Sequence, residues 1–278
     1  MQILSTGLDV DLFLKTIQGK TLALVPTMGA LHDGHLALVR HAQMLADAVI
    51  VTIFVNPLQF GPAEDFDRYP RTLNQDLSAL RPLGIAAVYA PEALDMYPDG
   101  VPLTRIHNPI MGSVLCGAHR LGHFDGVLTV VMKLYQRFRP HVMVFGEKDY
   151  QQYLMIHTMM RDLNVPVHIA SLPTQRAKDG LALSSRNAYL TQNQRAIAPH
   201  LYQTLRQLKD ALILNPNDVT SLLDHGCQRL HQEGLEKVEY LEALTLKDLS
   251  PWQGPQTPGR LFVAAHLGGV RLIDNIAI

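Results

Sequence analysis

Cysteine is scarce in this chain of 278 residues: Cys116 and Cys227 are the only two, far apart and in no metal-binding spacing. That scarcity excludes a disulfide-stapled fold and a cysteine-built zinc site, and two free thiols point to a reducing compartment. Neither sign of charge dominates, with 24 Lys plus Arg against 25 Asp plus Glu and a formal charge of -1. A broad basic face for nucleic acid is therefore not expected. No apolar run approaches the roughly 18 residues that a membrane helix needs. The opening Met1-Gln2-Ile3-Leu4-Ser5-Thr6 lacks the basic and then apolar pattern of a signal peptide. The expectation is a soluble, cytoplasmic protein with no nucleic-acid and no membrane partner. Also missing are the G-x-x-x-x-G-K-[ST] phosphate loop, the G-x-G-x-x-G dinucleotide turn and the H-E-x-x-H zinc helix, as well as internal repeats and low-complexity tracts.

What remains has an ordinary globular profile, 47% apolar and 18% charged, long enough for one large domain or two smaller ones. Apolar strand-like segments at 21–25, 48–55, 85–89, 142–145 and 165–169 alternate with helix patterns at 36–46, 72–81, 127–138 and 150–163. The second, AVIVTIFV, is apolar without alternation, as suits a parallel strand covered on both faces. This order predicts an α/β fold, a Rossmann-like, mostly parallel sheet over residues 1–175. The composition then shifts. Helices at 196–214 and 219–234, the second with Asp218 as N-cap, precede strands at 240–244, 261–267 and 270–276. Gly268-Gly269 makes the last two a tight hairpin. A smaller α+β domain is expected at 176–278.

Ligands of parallel sheets sit beyond the carboxyl ends of the strands, and polar motifs fall at those ends. Pro26-Thr27-Met28-Gly29-Ala30-Leu31-His32-Asp33-Gly34-His35 runs from strand through a glycine turn to a helix start. The turn lets backbone approach a ligand, and the helix terminus offers N–H groups to a phosphate. His32 and His35, three apart, can face one bound anion, although such a pair alone is more often a packing feature. No ligand set for zinc accompanies them. Asn56-Pro57-Leu58-Gln59 ends a buried strand with two amides; Asn56 before Pro57 is also an ordinary turn former, whereas Gln59 suits a hydroxyl or carboxylate. The following Glu64-Asp65-Phe66-Asp67-Arg68-Tyr69-Pro70-Arg71 reads as a solvated cover or a mobile lid. Arg120-Leu121-Gly122-His123 stands in a loop before a helix that carries Lys133, a surface or snorkelling lysine. Gly146-Glu147-Lys148-Asp149 follows the strand at 142–145, and Ser184-Ser185-Arg186 offers hydroxyls and a guanidinium that suit phosphate, or merely a helix cap.

Together these segments resemble the pantothenate synthetase (pantoate–β-alanine ligase) family, within the superfamily of adenylyl-transferring enzymes that carry a histidine-containing phosphate motif. The resemblance rests on residues 26–35, Phe54-Val55-Asn56-Pro57-Leu58-Gln59-Phe60, residues 120–131, Phe145-Gly146-Glu147-Lys148-Asp149-Tyr150-Gln151-Gln152, Leu183-Ser184-Ser185-Arg186-Asn187 and Arg271-Leu272-Ile273-Asp274-Asn275. It spans nearly the whole chain. Leu121 departs from the proline common there, and the stretch 240–249 is shortened. The resemblance implies ATP-dependent condensation of pantoate with β-alanine through an enzyme-bound pantoyl adenylate, with Mg²⁺ held by the ATP phosphates and no direct protein ligand. It implies catalytic roles for His32, His35 and Lys148. Pro26, Thr27, Met28, Gly29, His32, His35, Gly146, Lys148, Asp149, Ser184, Ser185 and Arg186 would bind ATP. Met28, Gln59, His123 and Gln152 would bind pantoate, supported by Asn56, Arg120 and Lys133. It also implies a homodimer, and closure of the 176–278 domain as a lid. Two rivals stand beside it: an adenylyltransferase for a phosphate-bearing acceptor, which needs a cationic acceptor pocket, and a nucleotide-binding module whose histidines are structural.

Overall fold

The structure, a computed structural model, describes residues 1–62 and 64–278. The chain forms two compact units. One comprises Met1–Gly112, Arg120–Glu147 and Gln152–Pro173; the other comprises Ser113–His119, Lys148–Gln151 and Thr174–Ile278.

In the first unit, β1 (Gln2–Leu4) and α1 (Gly7–Thr16) precede β2 (Leu22–Thr27), α2 (Asp33–Leu45), β3 (Ala48–Ile53), α3 (Leu73–Leu80), β4 (Ala87–Tyr89) and the short α4 (Ala93–Met96). After α5 (Cys116–His119), which belongs to the other unit, come α6 (His123–Phe138), β5 (Val142–Gly146), α7 (Tyr150–Asp162) and β6 (His168–Leu172). The strands form one sheet in the order β1-β4-β3-β2-β5-β6, every pair parallel. The expected α/β architecture is therefore present. β1 and α1 lie ahead of the first strand expected from the sequence. A strand of three residues carries too short a pattern to read, but Thr6 and Asp9 form a capping box that starts α1.

The sheet is apolar on both faces because helices cover it. Val25, Val49, Val51, Val88 and Val144 pack with Leu38, Val39 and Ala42 of α2 and with Leu77 and Leu80 of α3. Chain order reverses at β2, whose neighbours are β3 on one side and β5 on the other. That is the switch point at which parallel sheets open a ligand crevice. β2 pairs with β3 from Leu22 to Thr27, but with β5 only at Ala23 and Leu24. Two residues beyond that last rung stands Pro26, which has no N–H to donate.

The second unit holds α8 (Gln192–Ile197), α9 (His200–Leu214), α10 (Val219–Gln232) and an antiparallel sheet of β7 (Lys237–Thr245), β8 (Gly259–Leu267) and β9 (Val270–Ala277). Leu201, Leu205, Leu208 and Leu212 recur on one face of α9 and pack with Leu261, Val263 and Ala265 of β8. The helix expected at 196–214 is broken. Pro199 cannot donate to Arg195 O and its ring crowds that carbonyl, so α8 ends at Ile197 and α9 begins at His200. Asp218 is the N-cap residue of α10, but its side chain makes no capping hydrogen bond. Gly268 and Gly269, both at positive φ, join β8 to β9 as expected.

One close approach in the first unit sets how α6 meets the chain just after β3. A Cβ at Gly126 of α6 would lie 2.7 Å from Gln59 N, and closer still to the Leu58 carbonyl. These are backbone atoms, which cannot swing away. Gly126→Ala is expected to cost about 1–3 kcal/mol by overpacking, seen as a lower midpoint in urea or thermal denaturation. An unchanged midpoint would contradict this packing.

Candidate active site

The turn after β2 begins with Thr27, whose hydroxyl donates to Thr52 O at 2.6 Å and accepts from Gly29 N at 3.2 Å. Gly29 (φ 82°) and Ala30 (φ 49°) are both left-handed, so the chain turns sharply. A Cβ on Gly29 would lie 3.0 Å from Ile53 and 3.1 Å from the Asp76 carboxylate. Glycine fits on both counts. The N–H groups of Ala30 and Leu31 donate to the two oxygens of Asp76, at 3.0 and 2.8 Å, and the Thr72 hydroxyl adds a third donor at 3.3 Å. Asp76, on α3, is only 2% exposed. The sequence reading missed it. Its available signal was an acid beside Leu77 and Leu80 on the buried stripe of that helix.

This turn delivers His32 to the N-cap of α2 and His35 to its third residue. His32 Nδ1 accepts from Gly34 N at 3.2 Å, and His35 Nδ1 accepts from His32 N at 3.3 Å. The histidines thus make a reciprocal capping box, the part usually played by Ser or Thr with Glu. A neutral imidazole that accepts at Nδ1 carries its proton on Nε2. Both rings are therefore Nε2–H donors, 4.1 Å apart at their centroids, at the positive end of a helix. The cap fixes the tautomer of both rings.

Beyond β3, Asn56 caps a single 3-10 turn, Pro57–Gln59. Its Oδ1 accepts from Leu58 N (3.3 Å) and the Tyr97 hydroxyl (2.8 Å); its Nδ2 donates to Gly126 O (3.1 Å) and Gln59 Oε1 (3.0 Å). Asn56 thus acts both as a turn former and as a brace for Gln59. The Gln59 Nε2 lies 3.1 Å from Met28 Sδ, which brings together two of the expected pantoate residues. Gln59 O accepts from His123 Nδ1 at 2.8 Å, and His123 Nε2 in turn takes a hydrogen from Arg120 at 3.0 Å. His123, the first residue of α6, is thus the opposite tautomer from His32 and His35.

Arg120 pairs with both oxygens of Glu64, at 2.8 and 2.5 Å. Glu64 is therefore tied down rather than left in solvent. Downstream, Arg71 bonds the carbonyls of Phe66, Asp67 and Tyr69, and Phe60 packs edge-on against Phe66 and Tyr69. Lys133 places its ammonium 5.5 Å from the Tyr97 ring centroid, a cation–π contact in place of a fully solvated head. Burial holds the Tyr97 hydroxyl well above its usual range, so it stays protonated. Gly146 ends β5, next in the sheet to β2. Gln152, on α7, is half-buried, and among the described residues no protein hydrogen bond holds its amide.

The second unit carries the remaining expected residues. Lys148 and Asp149 lie in a 3-10 turn, Glu147–Asp149, with Nζ 3.9 Å from the carboxylate. Lys148 O accepts from Asn275 Nδ2 at 2.8 Å. Ser184 caps the 3-10 helix Ser185–Tyr189 by accepting from Arg186 N, so its capping reading holds. The loop that leads there is anchored by Arg176, which pairs with both oxygens of the buried Asp274 at 2.5 and 2.8 Å and stacks 3.7 Å over Tyr202.

A parallel sheet opened at its switch point, with histidine donors capping the next helix and amides at the neighbouring strand end, defines a nucleotide-binding α/β enzyme. Its family is specific: the chain belongs to the pantoate-beta-alanine ligases, whose family model matches residues 2–277. It is 50% identical over 262 residues to the pantothenate synthetase of Stutzerimonas stutzeri, covering 94% of this chain and 91% of that protein. It is 49% identical over 265 residues to that of Azotobacter vinelandii, covering 94% and 92%. Among solved structures, the pantothenate synthetase of Thermus thermophilus superposes with a TM-score of 0.92 at 40% identity, covering 99% of each chain. The pantoate-beta-alanine ligase of Francisella tularensis, complexed with beta-gamma ATP and beta-alanine, gives 0.85 at 36% identity, covering 100% of this chain and 97% of that one.

Asp76→Ala leaves the Ala30 and Leu31 N–H groups without their acceptor. Each orphaned donor costs about 1–3 kcal/mol. Denaturation should show that loss, and the thermal shift given by ATP should shrink. A variant with wild-type stability and ATP response would refute the anchoring role.

Proposed function

We propose that this chain joins pantoate to β-alanine at the expense of ATP, giving pantothenate, AMP and pyrophosphate through enzyme-bound pantoyl adenylate. The observation that carries the mechanism is the histidine cap, which places two Nε2–H donors at a helix N-terminus beside the sheet's switch point. In the first step a pantoate carboxylate oxygen attacks the α-phosphorus, and the bond to the bridging oxygen breaks to release pyrophosphate. Charge grows on the phosphoryl oxygens and the leaving group. His32, His35 and Lys148 stabilise it there more than in the ground state. In the second step the amine of β-alanine attacks the acyl carbon, AMP departs with the electron pair, and the nitrogen loses a proton. No covalent enzyme intermediate is needed; the enzyme positions the amine and keeps water from the mixed anhydride.

Pro26, Thr27, Met28, Gly29, Gly146, Asp149, Ser184, Ser185 and Arg186 complete the ATP contacts, and Met28, Gln59, His123 and Gln152 hold pantoate. His123 serves pantoate by bracing the Gln59 backbone, and Arg120 by orienting His123. Residues 1–175 make the ATP and pantoate domain, and 176–278 the lid. The chemistry would suit Mg²⁺ carried in on the ATP phosphates, where it would neutralise charge and keep its waters. We place the protein in the cytoplasm. Its cysteines are free, and among the described residues no helix is long and apolar enough to cross a membrane.

Pantoate-dependent exchange of labelled pyrophosphate into ATP, without β-alanine, tests the first step. Pantoate labelled with ¹⁸O in its carboxylate should pass one label to AMP in the full reaction. His35→Ala and Lys148→Ala should each lower the exchange by roughly 10²–10³. Label in pyrophosphate, or exchange without pantoate, would overturn the adenylate route; near-normal exchange in His35→Ala would remove only that histidine's role.

The family resemblance also supports a homodimer formed through the larger domain, and a net charge of -1 does not oppose it. Sedimentation should give about twice the 30.9 kDa chain mass. A monomer throughout the micromolar range would contradict this.

A further inference from the structure

We propose that Tyr97 is a positioning residue for pantoate: through Asn56 it fixes which end of the Gln59 amide faces the substrate. The two ends of an amide differ only in what they can do, one accepting and the other donating. For Asn56 the backbone partners show which end is which. Leu58 N can only donate, so the atom it meets at 3.3 Å is Oδ1; Gly126 O can only accept, so the atom it meets at 3.1 Å is Nδ2. The second hydrogen of that Nδ2 goes to Gln59 at 3.0 Å, so the Gln59 atom there must be its oxygen. Gln59 is thereby left with its NH₂ pointing away from Asn56, beside Met28 Sδ, a weak acceptor that an incoming oxygen readily displaces.

Tyr97 completes the set. Its hydroxyl lies 2.8 Å from Asn56 Oδ1 and must donate, because that oxygen only accepts. Asn56, Tyr97 and Gln59 are 1%, 5% and 8% exposed, so little water competes. Without the phenol proton, Oδ1 keeps only the longer bond from Leu58 N, and Asn56 is freer to turn. A turned Asn56 presents an acceptor to Gln59, whose amide must then reverse and offer an oxygen to the carboxylate or hydroxyl of pantoate. Tyr97 is thus a gauge of donor polarity at a subsite that it does not touch.

This inference rests on the assignment of Gln59 to pantoate, and the experiment separates the two. Tyr97→Phe keeps the ring and removes one hydrogen bond, so the KM for pantoate should rise about 2- to 13-fold while the KM for ATP stays within twofold. In a Gln59→Ala background, which itself raises the pantoate KM, Tyr97→Phe should add nothing further. Equal effects of Tyr97→Phe in both backgrounds, or parallel rises for both substrates, would overturn the relay and leave Gln59 in place. If Gln59→Ala alone left the pantoate KM unchanged, the assignment of Gln59 would fall and take the relay with it. Unmutated protein provides an independent measurement by ¹⁵N side-chain amide spectra. Pantoate should shift the Gln59 NH₂ pair and leave that of Asn56 nearly still; the reverse pattern would overturn the proposal.

Discussion

A carboxylate with almost no access to water holds the start of the active site in place. Asp76 meets the N–H groups of Ala30 and Leu31 and the Thr72 hydroxyl, and a carboxyl group buried this deeply is tolerable only because donors converge on it. What it secures is a turn with two successive left-handed residues, a conformation that an unsupported chain would leave. The placement of His32 and His35 at the first turn of α2 follows from that turn. One acid on a different helix therefore governs the geometry of the two histidines.

The same economy of means appears at each strand end: a polar side chain is oriented by backbone atoms whose donor or acceptor character cannot change. Backbone N–H groups fix the proton of His32 and His35 on Nε2. A backbone carbonyl and a guanidinium fix that of His123 on Nδ1. Leu58 N, Gly126 O and the Tyr97 hydroxyl together fix the Asn56 amide, which fixes that of Gln59. Such an arrangement requires α6 to lie against the 57–59 turn at backbone distance. Gly126 makes that approach possible.

Much of this was legible in the sequence because local chemistry and global fold agree there. The β2–α2 junction, the apolar β3 and the Gly268-Gly269 hairpin carry their own signals, and the motifs at residues 26–35 and 54–60 resemble one family. Asp76 and Tyr97 were not legible, since a buried acid or phenol acquires meaning only from partners distant in sequence, 45 residues away for Leu31 and 41 for Asn56. Helix periodicity also ran through Pro199, where the missing N–H breaks it. Lys133 has the sequence context of a snorkelling lysine, and only the fold reveals the aromatic face beneath its ammonium.

The seam between β2 and β5 has a mechanical consequence. β2 and β3 share six rungs and β5 and β6 share five, whereas β2 and β5 share two. The sheet is in effect two ribbons, β1-β4-β3-β2 and β5-β6, stapled near the amino ends of their adjoining strands. Past the staple, among the described residues, no rung joins them, and Pro26 lacks the nitrogen-bound hydrogen with which that part of β2 could bond β5. Metaphorically this is a clothes-peg with its spring at one end, its jaws being Met28, just past β2 on one ribbon, and Gly146, the last residue of β5 on the other.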